Sequence, residues 1–188
     1  PLTSTAAGTN VLLTIGYGAS CIAGQSEDGT LGLVAALPVS RRRLVLEKSA
    51  VLALIALPVA VVTMAFILLG RHYDLTLPTS AVVGTTVAVL VMGVDFGLVA
   101  LIIGVLTGSR GMALGLASGL AAASYLVSSL APVIGWARTV RPASLFYWAV
   151  GSDQLTAGPS STAWAVLLIS ALVLNGLAVV LVQRLDIR

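Results

Sequence analysis

The stretch SAVVGTTVAVLVMGVDFGLVALIIGVLT, Ser80 to Thr107, decides the class of this fold. It exceeds the ~20 apolar residues that cross a hydrocarbon core about 30 Å thick at 1.5 Å rise per residue. One charge interrupts it: Asp95, flanked by Val94 and Phe96 and close to Gly93 and Gly97. Three other runs meet the same length requirement, Ser49 to Gly70, Met112 to Trp136 and Ala163 to Gln183. A fifth, Leu2 to Gly24, is interrupted by Thr, Ser, Gly and Asn10, and such small and hydroxyl residues suit packing against neighbouring helices. The expectation is an all-α, polytopic membrane helix bundle. It forms one domain over residues 1–188, with spans at about 2–24, 49–70, 80–107, 112–136 and 163–183.

Composition agrees. The chain is 58% hydrophobic and 9% charged, with mean hydropathy +1.06, whereas a soluble domain carries roughly a quarter charged residues. Its basic pI near 9.5 does not point to nucleic acid, because the cations sit in gaps between apolar runs, where they meet anionic lipid headgroups. Arg far outnumbers Lys and Ala, Val, Leu and Gly dominate, a bias that suggests a bacterial genome rich in GC. The single cysteine, Cys21, excludes an internal disulfide framework and reads as a small packing residue. The chain starts at Pro1 inside a semi-apolar stretch without a signal-peptide pattern, so a further upstream portion is expected.

Charge also orders the connections. Residues 25–48 hold Arg41, Arg42, Arg43 and Lys48; the turn near Ser109 holds Arg110; the tail holds Arg184 and Arg188. The other side holds Arg71, Arg138 and Arg141. The positive-inside rule therefore places the 25–48 elbow, the short turn and the C-terminus in the cytoplasm. Outside, residues 71–78 form a short polar connection. Residues 137–162 form a long re-entrant or interfacial segment whose Phe146, Tyr147 and Trp148 suit the headgroup layer.

The elbow is amphiphilic. Ser26 or Asp28 is placed to cap a helix, and Glu27 and Asp28 are favoured by the dipole at its N-terminus. Leu31, Leu33, Val34 and Leu37 follow at roughly helical spacing, Pro38 ends the turn, and Ser40 starts the next helix with Arg41 to Arg43 at headgroup level. A short helix of this make-up either anchors the chain along the membrane face or inserts its apolar ridge into a partner's groove.

The run Tyr17 to Leu31, with Glu27-Asp28-Gly29-Thr30-Leu31, continuing through Leu37-Pro38-Val39-Ser40-Arg41, resembles the permease subunits of type-2 ABC exporters. Leu145-Phe146-Tyr147-Trp148, then Gly151, a further helix and Arg184-Leu185-Asp186-Ile187 are similar to that family's C-terminal end. There two adjacent basic residues usually precede the Asp, and here Leu185 intervenes. The resemblance implies a six-helix unit of which this chain lacks the first helix, in a bacterial plasma membrane. It implies a second permease unit as partner, identical, different or fused. It also implies a separate ATP-binding subunit docked on a short cytoplasmic coupling helix through Glu27, Asp28, Gly29, Thr30, Leu31, Leu33, Val34, Leu37, Pro38, Ser40 and Arg41. ATP hydrolysis then belongs to the partner, since this chain has no Gly-rich phosphate loop ending in Lys-Ser/Thr.

The remaining chemistry is sparse. Asp95 is the acid deep within a span and marks a substrate pathway or a buried charge, since intramembrane ionisable residues are costly and face protein interior, partner or water. Its presence leaves an ion- or proton-coupled secondary transporter open as an alternative, and the elbow alone leaves open a non-transporting scaffold. His72 sits beside Tyr73 and Asp74 without converging ligands and reads as a solvated residue. Asn175 in the last span suits an interhelical hydrogen bond. No nucleophile, base and orienting group recur in a recognisable arrangement, so neither enzymatic chemistry, a cofactor nor a metal is expected in this chain.

Overall fold

The computed structural model describes residues 2–24, 27, 41–69, 78–151 and 157–184. It is an all-α bundle, with no strand among the described residues. Helix α1 (Leu2–Ala19) closes in a π-helical turn (Ser20–Gly24), and α2 (Arg41–Leu69) returns across the bundle. Helix α3 (Thr79–Thr107) is followed directly by α4 (Arg110–Leu130). Two short helices, α5 (Gly135–Val140) and α6 (Leu145–Val150), are joined by a 3₁₀ turn (Arg141–Ala143) and precede α7 (Ser161–Arg184). Five of these elements are long and apolar enough to cross a membrane: Ser4–Gly24, Arg42–Leu69, Thr79–Thr107, Arg110–Leu130 and Ser161–Arg184.

Helix α3 is the axis of the bundle and packs against α1, α2, α4, α6 and α7. Of its most apolar stretch 67% is buried, against 17% for α2, α4 and α7, so the protein, not lipid, surrounds it. This is the expected place for a helix that is apolar on every side. Its neighbours are two-faced instead. Helix α2 turns Val45, Ser49, Leu52, Ala56 and Ala60 inward and leaves Leu54, Val61, Val62 and Phe66 outside. Helix α4 turns Ala113, Ala117 and Ala121 inward and leaves Met112, Leu116, Leu120 and Leu126 outside. In lipid such outer faces carry no penalty, and close approach comes from small residues at the contacts.

The α1–α3 seam shows how close. A side chain on Gly18 would meet the carbonyl oxygen of Gly97, backbone against backbone. Gly97 itself faces Leu52 and the Thr14 carbonyl, and the place of a Gly93 side chain is taken by Asn10 Oδ1. Two apolar clusters result. The larger joins Val11, Ile15, Met92, Phe96, Phe146 and Leu167, and the smaller joins Cys21, Ile22, Val45, Leu101, Val105 and Val182 at the elbow end.

Helix α2 begins at Arg41, next to the Ser40 start expected for it, so Arg41 to Lys48 extend the helix beyond the apolar run that opens at Ser49; the Arg43–Glu47 pair at 2.8 Å, one turn apart, fits that continuation. The fourth span ends at Leu130 rather than Trp136, because Pro132 has no N–H to offer the helix and Gly135 follows. The connection between α4 and α7 is helical in part and folds back against the bundle: Ser144 Oγ donates to the Ser124 carbonyl at 2.7 Å, and the Phe146 ring lies 5.8 Å from that of Phe96 near the middle of α3.

Candidate functional site

At the elbow end, α3 stops at Gly108, whose φ of 64° lets its N–H reach the Gly104 carbonyl at 2.9 Å. Ser109 then caps α4, its Oγ accepting from the Met112 N–H at 3.5 Å. Helix α4 still has free N–H groups at its first turn, and one is met from far away in sequence. The Arg110 N–H donates to Glu27 Oε1 at 2.9 Å. A carboxylate at a helix N-terminus satisfies an orphan donor and complements the dipole. Glu27 therefore ties the chain beyond α1 to the α3–α4 turn, and this turn, the start of α2 and the end of α7 lie at one end of the bundle. Exposed Arg42, Arg43 and Arg184 lie there too, on the ends of α2 and α7.

Inside the bundle, polar contacts link the helices. Asp95 is wholly buried, and its Oδ2 accepts from Ser170 Oγ of α7 at 2.6 Å. Its Oδ1 has no partner among the described residues. Asn175 Nδ2 donates to Ser49 Oγ at 3.0 Å, joining α7 to α2, as expected for this residue. Asn10 Nδ2 donates to the Ala56 carbonyl at 3.3 Å, two residues before Pro58, and so joins α1 to α2 close to the proline that interrupts the backbone ladder of α2. Asn10 and Ser49 were not singled out as contacts in the sequence. Their only signal there was polarity on an otherwise apolar stripe.

A groove of about 400 Å³ lies between α1 and α2, bordered by Thr5, Thr9, Pro58, Val62, Thr63 and Phe66. Thr9 and Thr63 turn their hydroxyls back to the Thr5 and Val59 carbonyls, so they present methyl groups to the groove. The surface offered is hydrocarbon.

Of the elbow residues expected to couple to a partner, Glu27 is exposed and engaged as described, and Arg41 opens α2. Asp28, Gly29, Thr30, Leu31, Leu33, Val34, Leu37, Pro38 and Ser40 lie outside the described residues, as does His72. Cys21 is buried, as a packing residue should be. The described residues hold no cluster of three or more His, Cys, Asp or Glu able to seat a metal ion. No protein-family model matches the chain, and no curated protein sequence matches it.

Proposed function

We propose that this chain is a transmembrane permease subunit of an ATP-driven ABC exporter, with the elbow, the α3–α4 turn and the C-terminus on the cytoplasmic side of a bacterial plasma membrane. The observation that carries the reading is the Glu27–Arg110 hydrogen bond. A force applied to the elbow by an ATP-binding subunit reaches α4 and, through the short turn, the central helix α3, which touches every other span. The resemblance of residues 17–41 to exporter permeases supplies the partner's class, and the basic residues on this face supply the orientation. The hydrocarbon groove between α1 and α2 favours an apolar or amphipathic cargo. A second permease unit completes the pathway.

The test is co-purification of an ATP-binding subunit with the tagged chain from native membranes, together with ATP-dependent export. Glu27→Ala and Arg41→Ala are expected to reduce docking or export while membrane insertion is retained. Normal docking and export in both variants would refute the proposal.

One observation favours a second reading. Asp95 is fully buried with an oxygen left unpartnered, which is the arrangement of a coupling carboxylate in an ion- or proton-driven carrier. That reading requires a protonophore to stop transport while ATP remains plentiful, and Asp95→Asn to abolish it.

A further inference from the structure

The end of the bundle opposite the elbow carries a cation for which the described residues supply no acceptor. Arg141 begins the 3₁₀ turn between α5 and α6, and its guanidinium carbon sits 4.4 Å from the centre of the Tyr147 ring. That stacking contact is its one side-chain interaction among the described residues, and its Nε is buried without a hydrogen-bond partner. The described acids are engaged elsewhere. Glu27 accepts from Arg110, Glu47 pairs with Arg43, and Asp95 accepts from Ser170.

Depth makes an unanswered cation costly. The Arg141 carbonyl accepts from the Ser144 N–H, and Ser144 is bonded to Ser124, six residues before the last residue of α4. At 1.5 Å per residue this turn lies ~9 Å inside the end of α4. No carboxylate among the described residues meets this guanidinium, and the long stem of an arginine at such a depth carries its charge toward the nearest anionic layer. That layer is the row of headgroup phosphates. The planar fork of Arg matches phosphate oxygens with paired N–H donors, and the tyrosine ring fixes the plane of the fork. Trp148 steadies the same turn, its Nε1–H donating to the Pro142 carbonyl at 2.7 Å and its ring edge-on to Tyr147 at 4.8 Å.

We propose that Arg141, stacked on Tyr147 in the turn between α5 and α6, binds the phosphodiester of a phospholipid headgroup. The lipid then acts as a structural ligand that closes the outer end of the α4–α7 connection. The proposal rests on the membrane character of the chain and on this geometry, and it stands whether or not the chain is a permease.

Native mass spectrometry of the full chain, purified in a phosphate-free maltoside detergent, reads the outcome. The probes are a defined phosphatidylglycerol, diacylglycerol with the same acyl chains, and inorganic phosphate as competitor. Wild type is expected to retain phosphatidylglycerol over diacylglycerol, and Arg141→Gln to weaken that retention about tenfold, the worth of a charge-assisted hydrogen-bond pair. Tyr147→Leu, which leaves the cation but removes its platform, is expected to weaken it by a smaller factor. Arg42→Gln, on the elbow face, is expected to leave this Arg141-dependent component unchanged. Equal retention by wild type and Arg141→Gln overturns the proposal, as does equal retention of diacylglycerol. Complete displacement by inorganic phosphate overturns the assignment to lipid. Asp74 and Asp153 lie outside the described residues. If wild type retains no phosphatidylglycerol and Asp74→Asn or Asp153→Asn creates retention, Arg141 is neutralised within the protein and the proposal falls.

Discussion

Placing a methyl group on Gly18 tests the seam on which the bundle is built. A Cβ there meets the Gly97 carbonyl oxygen, and neither group belongs to a side chain that can rotate away. The helix would have to shift as a body. Alanine is intrinsically favoured over glycine in a helix by about 1 kcal/mol, whereas forcing extra volume into a packed contact costs about 1–3 kcal/mol or more. With backbone on both sides the clash should fall at the upper end, leaving Gly18→Ala about 2 kcal/mol less stable. Gly115 in α4 supplies the control, because it is exposed in this bundle and a side chain there meets nothing within 4 Å. Gly115→Ala should keep the propensity gain of about 1 kcal/mol, so the two alanine variants should differ by about 3 kcal/mol. Unfolding in mixed micelles by titration with dodecyl sulfate, followed by far-ultraviolet circular dichroism, measures both. Equal shifts in the same direction would mean that α1 and α3 do not touch at Gly18 and Gly97, and the packing argument would fail.

Other outcomes follow from single contacts. Glu27→Gln, which removes the charge that meets the first N–H of α4, should lower the stability of that helix start by about 1 kcal/mol and speed amide exchange at Arg110 and Gly111, while exchange within α3 stays slow. In a Cys21→Ala background, membrane-impermeant maleimide should reach Arg184→Cys and Val133→Cys from opposite sides; labelling of both from one side would break the five-span arrangement. Ser144→Ala removes the hydrogen bond that fastens the α5–α6 segment to α4, and should cost about 1–2 kcal/mol and raise exchange across residues 145–150, an effect absent if that segment merely rests on the surface.

The five spans were legible because lipid imposes a length and an apolarity that few other constraints override. Residues 80–107 could be read almost to the residue. Hydropathy is blind to two things that the structure shows. It cannot tell a helix wrapped by protein from one bathed in lipid when both are apolar all round, so the central place of α3 was not readable; Gly93 and Gly97 hinted at close contact but not at which neighbour. Nor does it see where a helix outlasts the membrane or stops short of it. Arg41 to Lys48 are helical because nothing in them breaks a helix, and Met112 to Trp136 contains Pro132, whose chemistry outweighs the surrounding apolarity. Glu27 was legible as a helix-terminus acid. The helix it serves, however, is α4, 83 residues away, and no local pattern encodes that pairing.

Asp95 poses the remaining question, whether its place in α3 is owed to stability or to activity. The structure makes the two separable. Ser170 Oγ lies 2.6 Å from Asp95 Oδ2 and also 2.9 Å from the Leu167 carbonyl, so its single proton has a second acceptor ready. Removing the carboxylate therefore strands no donor. It also removes a buried acidic group whose other oxygen has no partner among the described residues, and such a group is a cost to the folded state, not a support. Asp95→Asn is close in shape and keeps an acceptor, so its stability should match wild type within about 1 kcal/mol; Asp95→Leu, which removes the polar group entirely, should be neutral to stabilising. Measured by the same titration, destabilisation beyond about 2 kcal/mol in both variants would show that the carboxylate holds α3 to α7. Unchanged stability with lost transport would instead assign Asp95 to the passage of cargo or of a coupling ion, because a residue that the fold does not need is then required by the work.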